Sequence, residues 1–436
     1  MRPSIFVYIL YIVTLISTVF YLIQKYRKCG YIFSFFNASY FFYIISVFIA
    51  GPFQYLDDAW IKLFVTTPSI YNSELNEIYI INLLGLLIMN ICVCYFEFGN
   101  TDKLPGYRIA KSISNSMSYF VFNLYCFIMC VLLFMLLVKY NDGYLPIIRG
   151  NRNFYLNQSF SYIYQICVYG ITFCSVIYAF RIKYRKQGIV MLLISLVFIF
   201  GTGTRTVLIN YVLYPLFLFV VYFNTRRGRD YSKRATTHII LICIALLMLA
   251  LWMIAFRDKK INFNYLNEII YGNTFCDIRD GAFLLKHYRQ RFGRTPLFGK
   301  TYLAALLSFL PSSVSAFKYN WGWARFSTIQ LIGWTNHTGF HAGNSTEAYF
   351  NFGWCGVIIT SVIKAYLFAA VEKIFKYKIF YNIYEEHEFN YLILLPLFLM
   401  TNFYSFFNVT SNGNIIMAFV TLIFANIFAT SILKNR

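Results

Sequence analysis

The sequence has few charged residues. Only 13% of its 436 residues are Asp, Glu, Lys or Arg, whereas a soluble globular protein carries roughly 25%. This shortage excludes an ordinary soluble enzyme, and the 59% of apolar residues excludes an intrinsically disordered chain. A helix that crosses a bilayer needs about 20 mostly apolar residues. The composition therefore indicates an all-α polytopic membrane protein.

The segments predicted to lie outside the membrane, where a disulfide could form, contain little cysteine. The chain has ten cysteines, but only Cys276 falls in a segment that we expect on the outer side of a membrane. This excludes a small disulfide-bonded scaffold. The pairs Cys92-x-Cys94 and Cys126-x3-Cys130 have spacings seen in metal sites, but both lie in apolar runs. We interpret these four cysteines as packing residues.

Apolar runs predict about eleven transmembrane helices, with one large loop between the eighth and the ninth. The predicted spans are 4–24, 33–53, 77–98, 117–139, 161–180, 189–203, 205–223, 239–256, 346–371, 389–408 and 414–433. The chain therefore divides into spans one to eight in residues 1–256, the loop in residues 257–345, and spans nine to eleven in residues 346–436. A tight turn is expected at 201–205, between the sixth and seventh spans.

Positive charge predicts the orientation of these spans. Of the 38 Lys and Arg residues, 20 lie in short loops that alternate along the chain and at the C-terminus. Because short cytoplasmic loops carry an excess of Lys and Arg, these loops are predicted to be cytoplasmic. The N-terminus then lies outside and the C-terminus inside.

The loop 257–345 has a positive net charge, although the excess of Lys and Arg is expected in cytoplasmic and not in outer loops. It holds eleven basic and four acidic residues, a difference of +7. Long loops cross the membrane regardless of charge, so the topology stands. The excess favours an anionic ligand on the outer face, with a solvated loop or contact with anionic headgroups as the alternative. Within it, 277–293 reads as an amphipathic helix, and 301–310 is apolar but too short to span.

Arginine residues are the candidate ligands for an anion such as a diphosphate. The planar guanidinium donates two parallel hydrogen bonds to phosphate and keeps its charge. Arg205 stands in the predicted outer turn, where a charge at membrane depth indicates function, although it could also snorkel to headgroups. Arg279, Arg289 and Arg291 form a basic cluster with Lys286 and His287 on the amphipathic helix.

The candidate catalytic residues lie at both ends of the same loop. His337 and His341 precede Glu347, near the start of the ninth predicted span. Imidazole and carboxylate groups can each remove a proton from a sugar hydroxyl, and Asp280 is a further candidate acid or base. Zinc would need three or four converging ligands, so we expect neither a metal nor another cofactor.

These residues resemble those of O-antigen or oligosaccharide repeat-unit polymerases of the Wzy type, which are related to the O-antigen ligases. The matching motifs are Gly203-Thr204-Arg205, Arg279-Asp280, Leu310-Pro311-Ser312, Asn336-His337-Thr338-Gly339, and His341…Glu347…Gly353-x-x-Gly356. The last motif departs in spacing from the His…Glu-x-Gly-x-x-Gly neighbourhood of that family.

The resemblance implies a GT-C-like, metal-independent glycosyltransferase in the bacterial inner membrane. It would join undecaprenyl-diphosphate-linked repeat units on the periplasmic face into O-antigen or a related surface polysaccharide. By this analogy Arg205, Arg279 and Arg289, with Arg291 and Arg325, hold the diphosphate, and a His or Glu activates the acceptor. The expected partners are the lipid-linked oligosaccharide and membrane lipids, with a chain-length regulator as a candidate and no nucleic acid.

Other functions remain open on the sequence. An O-antigen ligase would share most of these features. A polyprenyl-monophosphate glycosyltransferase could use Asp57 and Asp58 to bind a metal or as a base. A lipid-linked oligosaccharide flippase would be expected to carry ionisable residues along many spans and to have short outer loops. Here Lys364 is nearly the only charge deep in a predicted span.

Overall fold

The computed structural model describes part of the chain, and every regular element within that part is helical. The described residues are 1–29, 37–63, 67–98, 119–149, 161–180, 185–204, 207–208, 211, 275–307, 314–335, 339–340 and 342–374. The predicted spans 239–256, 389–408 and 414–433, and nearly all of 205–223, lie outside these residues.

The other predicted spans coincide with helices. The helices of six or more residues are α1 (Ile5–Cys29), α2 (Asn37–Ile44), α3 (Asn72–Phe98), α4 (Tyr119–Lys139), α5 (Ser161–Phe180), α6 (Arg185–Gly201), α7 (Asp277–Phe292), α8 (Lys300–Leu306), α9 (Ala316–Trp321) and α10 (Asn344–Ile374). Shorter helical pieces are Ile45–Ala50, Gly51–Phe53, Asp57–Leu63, Pro68–Tyr71, Pro146–Arg149, Trp323–Arg325 and Phe326–Gln330.

Three stretches are long and apolar enough to cross a membrane. They are Ile5–Lys28, Pro68–Phe98 and Asn344–Ala369, and the last of these is counted across an interruption at Gly353. Shorter apolar stretches lie in α4, α5 and α6. This helical architecture fits a membrane protein, whereas the count of eleven spans stays a prediction.

Helices α1 and α3 run parallel to each other. The backbone N–H of Ser4 donates to Asn76 at 2.9 Å, and the Lys25 ammonium donates to Glu97 at 2.9 Å. Both contacts join residues separated by 72 positions. A constant offset over this distance means that the two helices point in the same direction.

The segment between α1 and α3 runs the opposite way. Tyr40 of α2 donates to Asn90 at 2.5 Å, and Tyr79 donates to the carbonyl oxygen of Val47 at 2.8 Å. Residue 40 thus pairs with residue 90, and residue 47 pairs with residue 79. Because residue numbers rise along the segment while those of its partners on α3 fall, the two are antiparallel. Successive helices therefore alternate in direction, as the first three predicted spans require.

Helix α10 is folded back on itself at Gly353. This glycine has φ 65° and ψ −151°, which interrupts the helix. A Cβ placed on Gly85 of α3 would lie 2.5 Å from the Ser345 hydroxyl and 3.4 Å from that of Ser361. In a straight helix these two serines would be about 24 Å apart. They can both contact Gly85 only because α10 reverses between them.

The two arms of α10 pack tightly against each other. We call 344–352 the first arm and 354–374 the second arm. A Cβ on Gly356 would lie 2.4 Å from the carbonyl oxygen of Ala348, so the close approach requires a residue without a side chain. The single predicted span at 346–371 is therefore a helical hairpin that packs against α3.

Helices α4, α5 and α6 pack together as a second group. Phe134 of α4 meets Phe198 of α6 edge to face, with ring centroids 6.0 Å apart. After α6 the chain turns at Gly203, whose φ of 65° suits glycine. The tight turn predicted here is confirmed for residues 201–204, while Arg205 lies outside the described residues.

Helix α7 confirms the predicted amphipathic helix. Phe283, Leu284 and Leu285 are buried, whereas Arg291 is exposed. The buried side packs against the first half of α3. Gly281 allows this approach, because a Cβ there would lie 3.0 Å from the side chain of Ile78.

Candidate functional site

The first turn of α7 holds a buried ion pair. Arg279, which is 2% exposed, donates from Nε and Nη2 to Oδ1 of Asp280 at 2.9 and 2.7 Å. Its Nη1 donates to the carbonyl oxygen of Ala59 at 2.7 Å. The Cys276 thiol donates to Oδ2 of Asp280 at 3.3 Å, and burial raises the pKa of Cys276, which keeps this donor protonated. Both carboxylate oxygens are thus occupied.

This pair attaches α7 to the segment Asp57–Leu63. The predicted roles of Arg279 as a diphosphate ligand and of Asp280 as a catalytic group remain predictions. In this arrangement both side chains are buried, and they contact each other, the Cys276 thiol and the backbone of Ala59. A buried ion pair with its hydrogen bonds satisfied holds elements in place, since removal of one partner leaves an uncompensated charge.

Next to this pair lies a cluster of polar side chains that we call the polar junction. It comprises Tyr43, Ser46, Asn82, Asp277, Ser345 and Thr346. These residues come from α2 and the π-helical segment after it, from α3, from α7 and from the first arm. Buried polar groups in apolar helices are costly and often mark functional sites.

Hydrogen bonds connect one half of the polar junction. Tyr43 donates to the carbonyl oxygen of Asn82 at 3.0 Å and lies 3.1 Å from the Ser345 hydroxyl. The Asn82 amide donates to the Thr346 hydroxyl at 3.2 Å. The start of the first arm is therefore held about ten residues into α3.

The other half of the polar junction contains a carboxylate. Ser46 donates to Asp277 at 3.5 Å, which is a long bond. A Cβ on Gly343 would lie 3.1 Å from the Asn82 amide oxygen and 3.6 Å from Cβ of Asp277. The chain just before the first arm thus passes beside Asp277. The predicted catalytic residues His337 and His341 lie outside the described residues.

Glu347 is buried in the first arm, at 1% exposure. The Thr301 hydroxyl donates to its Oε1 at 2.5 Å, and the Asn351 amide donates to Thr301 at 2.7 Å. Lys364 of the second arm also interacts electrostatically with Glu347. The carboxylate therefore joins α8 to both arms of the hairpin, and its predicted role as a base stays a prediction.

The last turns of α7 carry cations at the surface. Arg289, one-third exposed, donates to both oxygens of Glu77 at 2.6 and 2.5 Å. The Tyr349 hydroxyl also donates to Glu77, at 2.8 Å. Arg291 is exposed and has neither an ion pair nor a side-chain hydrogen bond with any described residue. These two residues keep donors within reach of solvent.

A second group of cations lies on aromatic rings. The guanidinium carbon of Arg325 is 3.4 Å from the ring centroid of Tyr319, and the Lys300 ammonium is 4.4 Å from that of Trp321. Such cation–π contacts hold a positive charge without neutralising it. The Arg325 Nε is buried and has no hydrogen-bond partner among the described residues. We call these four residues the aromatic–cation cluster.

No acid accompanies these cations in the sequence around them. From residue 281 to residue 346 the chain has seven Lys or Arg residues and neither Asp nor Glu. The basic residues are Lys286, Arg289, Arg291, Arg294, Lys300, Lys318 and Arg325. Glu74 and Glu77 of α3 offset only Arg289. The described part of this segment therefore carries positive charge without any acid of its own.

Sequence reasoning missed the polar junction and the aromatic–cation cluster. Asn82, a polar residue within an apolar run, was a signal that could have located the junction. Within the same described ranges, no three His, Cys, Asp or Glu residues are placed to hold a metal ion. Comparisons of the chain with family models, with curated proteins and with solved structures find no match.

Proposed function

We propose that this protein is a membrane glycosyltransferase that polymerises undecaprenyl-diphosphate-linked oligosaccharide repeat units into O-antigen or a related surface glycan. The observation that carries the proposal is the positive, acid-free sequence segment 281–346, of which the described helix α7 packs against α3, a helix apolar enough to cross a membrane. A lipid-linked diphosphate combines the two properties that such a surface would recognise, since it is anionic and anchored in the bilayer.

The proposal includes the topology expected from the sequence. Eleven GT-C-like spans would place the loop in the periplasm and the C-terminus in the cytoplasm of a bacterial inner-membrane protein. The alternating directions of the first three helical segments support this arrangement. The segment 201–204, which turns after α6, would hold Arg205 at the outer surface.

Exposed arginines would bind the diphosphate. Arg289 and Arg291 lie at the surface of α7, and Arg205 is proposed to join them. Arginine can stabilise the charge that develops on a leaving diphosphate. Arg279 would instead contribute through its buried pair with Asp280, and Arg325 belongs to a different helical cluster.

Transfer would replace the bond between the anomeric carbon and a diphosphate oxygen by a glycosidic bond, and the diphosphate would leave on its lipid carrier. A hydroxyl of the incoming unit would attack the anomeric carbon of the growing chain, whose bond to the diphosphate oxygen breaks. His337 or His341 would accept the hydroxyl proton. The passage of residues 342–343 beside Asp277 supports a role for this region. Neither a metal nor a cofactor is required for this exchange.

The test is the surface-glycan ladder of a strain that lacks the gene, with and without the gene restored. A polymerase predicts loss of the ladder to a single repeat unit on its final acceptor, because export and ligation continue. Polymer left on the lipid carrier would instead identify a ligase. Single units stalled on the inner face would identify a flippase. Either of the last two results contradicts the proposal.

A matched pair of variants tests the diphosphate site. Arg291→Ala should shorten the ladder, whereas Arg294→Ala, which removes the same charge from another exposed position, should leave it unchanged. Equal ladders from both variants would remove Arg291 from the site. Membrane expression of each variant must match that of the wild type.

A further inference from the structure

The residues of the aromatic–cation cluster lie on different helices from the diphosphate ligands proposed on α7. Lys300 belongs to α8, Tyr319 and Trp321 to α9, and Arg325 ends the short helix that follows. These helices pack on one another. None of them belongs to a stretch long and apolar enough to cross a membrane. The cluster therefore has its own place in the fold and needs its own explanation.

The two cations of the cluster have no acidic partner. Neither Lys300 nor Arg325 makes an ion pair or donates a side-chain hydrogen bond to a described residue. Arginine has five N–H donors, and the buried Nε of Arg325 is among those left unused. Buried donors are normally paired. A ligand that supplies acceptor oxygens would satisfy donors of this guanidinium.

The aromatic rings restrict how a ligand can approach. Because the guanidinium carbon lies only 3.4 Å from the Tyr319 ring centroid, this ring covers one face of Arg325. An acceptor must therefore come to the edge of the guanidinium, where its N–H groups point. The two coplanar oxygens of a carboxylate match that edge. Tyr319 itself is 43% exposed, which leaves apolar ring surface beside the charge.

The charge around the cluster also favours an anion. Lys318, next to Tyr319 on α9, is a third basic residue in the same short segment. The absence of Asp and Glu from 281 to 346 means that nothing in this segment competes for the cations. The positive field of the cluster is therefore available to a substrate.

We propose that the aromatic–cation cluster binds the carboxylate of an acidic sugar in the oligosaccharide repeat unit. Arg325 receives the carboxylate, Lys300 adds a second positive charge, and Tyr319 and Trp321 are positioning residues that hold the two cations. The inference rests on the proposed function only for the identity of the substrate as a saccharide. It specifies that the saccharide is anionic and assigns Arg325 to the sugar rather than to the diphosphate.

The experiment measures binding to the purified full chain in nanodiscs of zwitterionic lipid. The probe is a tetrasaccharide of alternating glucuronate and N-acetylglucosamine, and its carboxyl-reduced form is the neutral control. We expect the acidic form to bind at least about tenfold more tightly, since hydrogen bonds from Arg325 to a charged carboxylate are stronger than those to a neutral hydroxyl. Inorganic pyrophosphate is titrated separately to identify the phosphate site.

Variants assign the binding to the cluster. Arg325→Ala should lower the affinity for the acidic probe about tenfold, and Arg325→Lys should not restore it, because lysine lacks the planar fork. Tyr319→Leu should weaken binding while it preserves every charge. Arg294→Ala, an equal change in charge at an exposed position, should leave the affinity within about twofold, since a screened surface charge acts weakly at a distance.

Three results would overturn the inference. The first is equal affinity for the acidic and the reduced probe. The second is an equal loss of affinity for the acidic probe in Arg325→Ala and Arg294→Ala, which would indicate only a general positive field. The third is a loss of pyrophosphate binding, with acidic-probe binding kept, in Arg325→Ala. Binding that depends on Arg325 would stand even if the gene deletion left the glycan ladder intact, so the two proposals fail separately.

Discussion

The two ends of α7 show how differently the same side chain behaves on one helix. Arg279 in the first turn is 2% exposed and donates to the buried carboxylate of Asp280. Arg291, three turns later, is exposed and has no described partner. The first arginine can stabilise the fold, and the second can meet a ligand. Residue type alone does not separate these roles, because the neighbours that decide them come from other helices.

The largest loss of stability should come from removing one partner of the buried ion pair at the start of α7. Arg279→Met leaves the carboxylate of Asp280 buried without its partner, which typically costs about 3–5 kcal/mol. We expect the purified variant to unfold at a clearly lower temperature in detergent, or to accumulate poorly in the membrane. The measurement is the thermal unfolding midpoint, with Arg294→Ala as the control.

A double variant sharpens this prediction. In Arg279→Met/Asp280→Leu both charges are gone, so much of the lost stability should return. A variant Arg279→Met that unfolds like the wild type but makes no polymer would instead support direct contact between Arg279 and the diphosphate.

A smaller effect is expected where α8 meets the hairpin. Thr301→Val removes the hydroxyl that donates to buried Glu347, and an unsatisfied buried group costs about 1–3 kcal/mol. Thr301→Ser keeps the donor and should retain most of the stability. Thermal unfolding of both variants checks this comparison, and equal midpoints would show that the bond contributes little.

The exposed end of α7 should tolerate change with little loss of stability. Arg289→Ala breaks a partly exposed ion pair with Glu77, which is worth about 1 kcal/mol at most. We expect a near-normal unfolding midpoint together with a shorter glycan ladder. A large drop in the midpoint would place Arg289 with Arg279 as a structural residue.

The smallest expected effect is on how the folding stability depends on pH. It involves His287, which lies between the two ends of α7. Burial against Phe283, and then the charge of Lys286, lower the pKa of His287 below its usual value. The folded state therefore binds a proton less readily than the unfolded state. Stability from this residue is present above the unfolded pKa, near 6.5, and is lost as the pH falls below that value.

The matching measurement is the unfolding midpoint of wild type and His287→Gln between pH 7.5 and pH 5. The variant should show a slightly flatter dependence on pH than the wild type. A steeper dependence in the variant would mean that His287 is stabilised in its charged form.

Apolar runs were enough to locate most of the described helices. The run at 161–180 corresponds to α5, and the amphipathic pattern near 277–293 corresponds to α7 (Asp277–Phe292). The reversal of α10 could not be foreseen, because an apolar run at 346–371 reads as one span. The two arms are revealed by the backbone angles of Gly353 and by the contacts of Ser345 and Ser361 beside Gly85.

The candidate site was harder to read for the same reason. From the sequence, Arg279 was a candidate diphosphate ligand, and Asp280 and Glu347 were candidate catalytic residues. The described structure buries all three side chains. Sequence reasoning did not link Arg325 to Tyr319, six positions earlier, because loop geometry has no fixed period. It could count the positive charge of the loop, which needs no coordinates.

By itself, the sequence determined that this protein is helical, apolar and basic between residues 281 and 346, because composition and local periodicity decide those properties. Tertiary structure decided which charges are paired. Arg279 meets Ala59 across 220 positions, and Arg289 meets Glu77 across 212. Such contacts depend on how helices pack, and packing depends on the shapes of distant segments. Burial and pairing then separate the side chains that hold the fold from those that a ligand can reach.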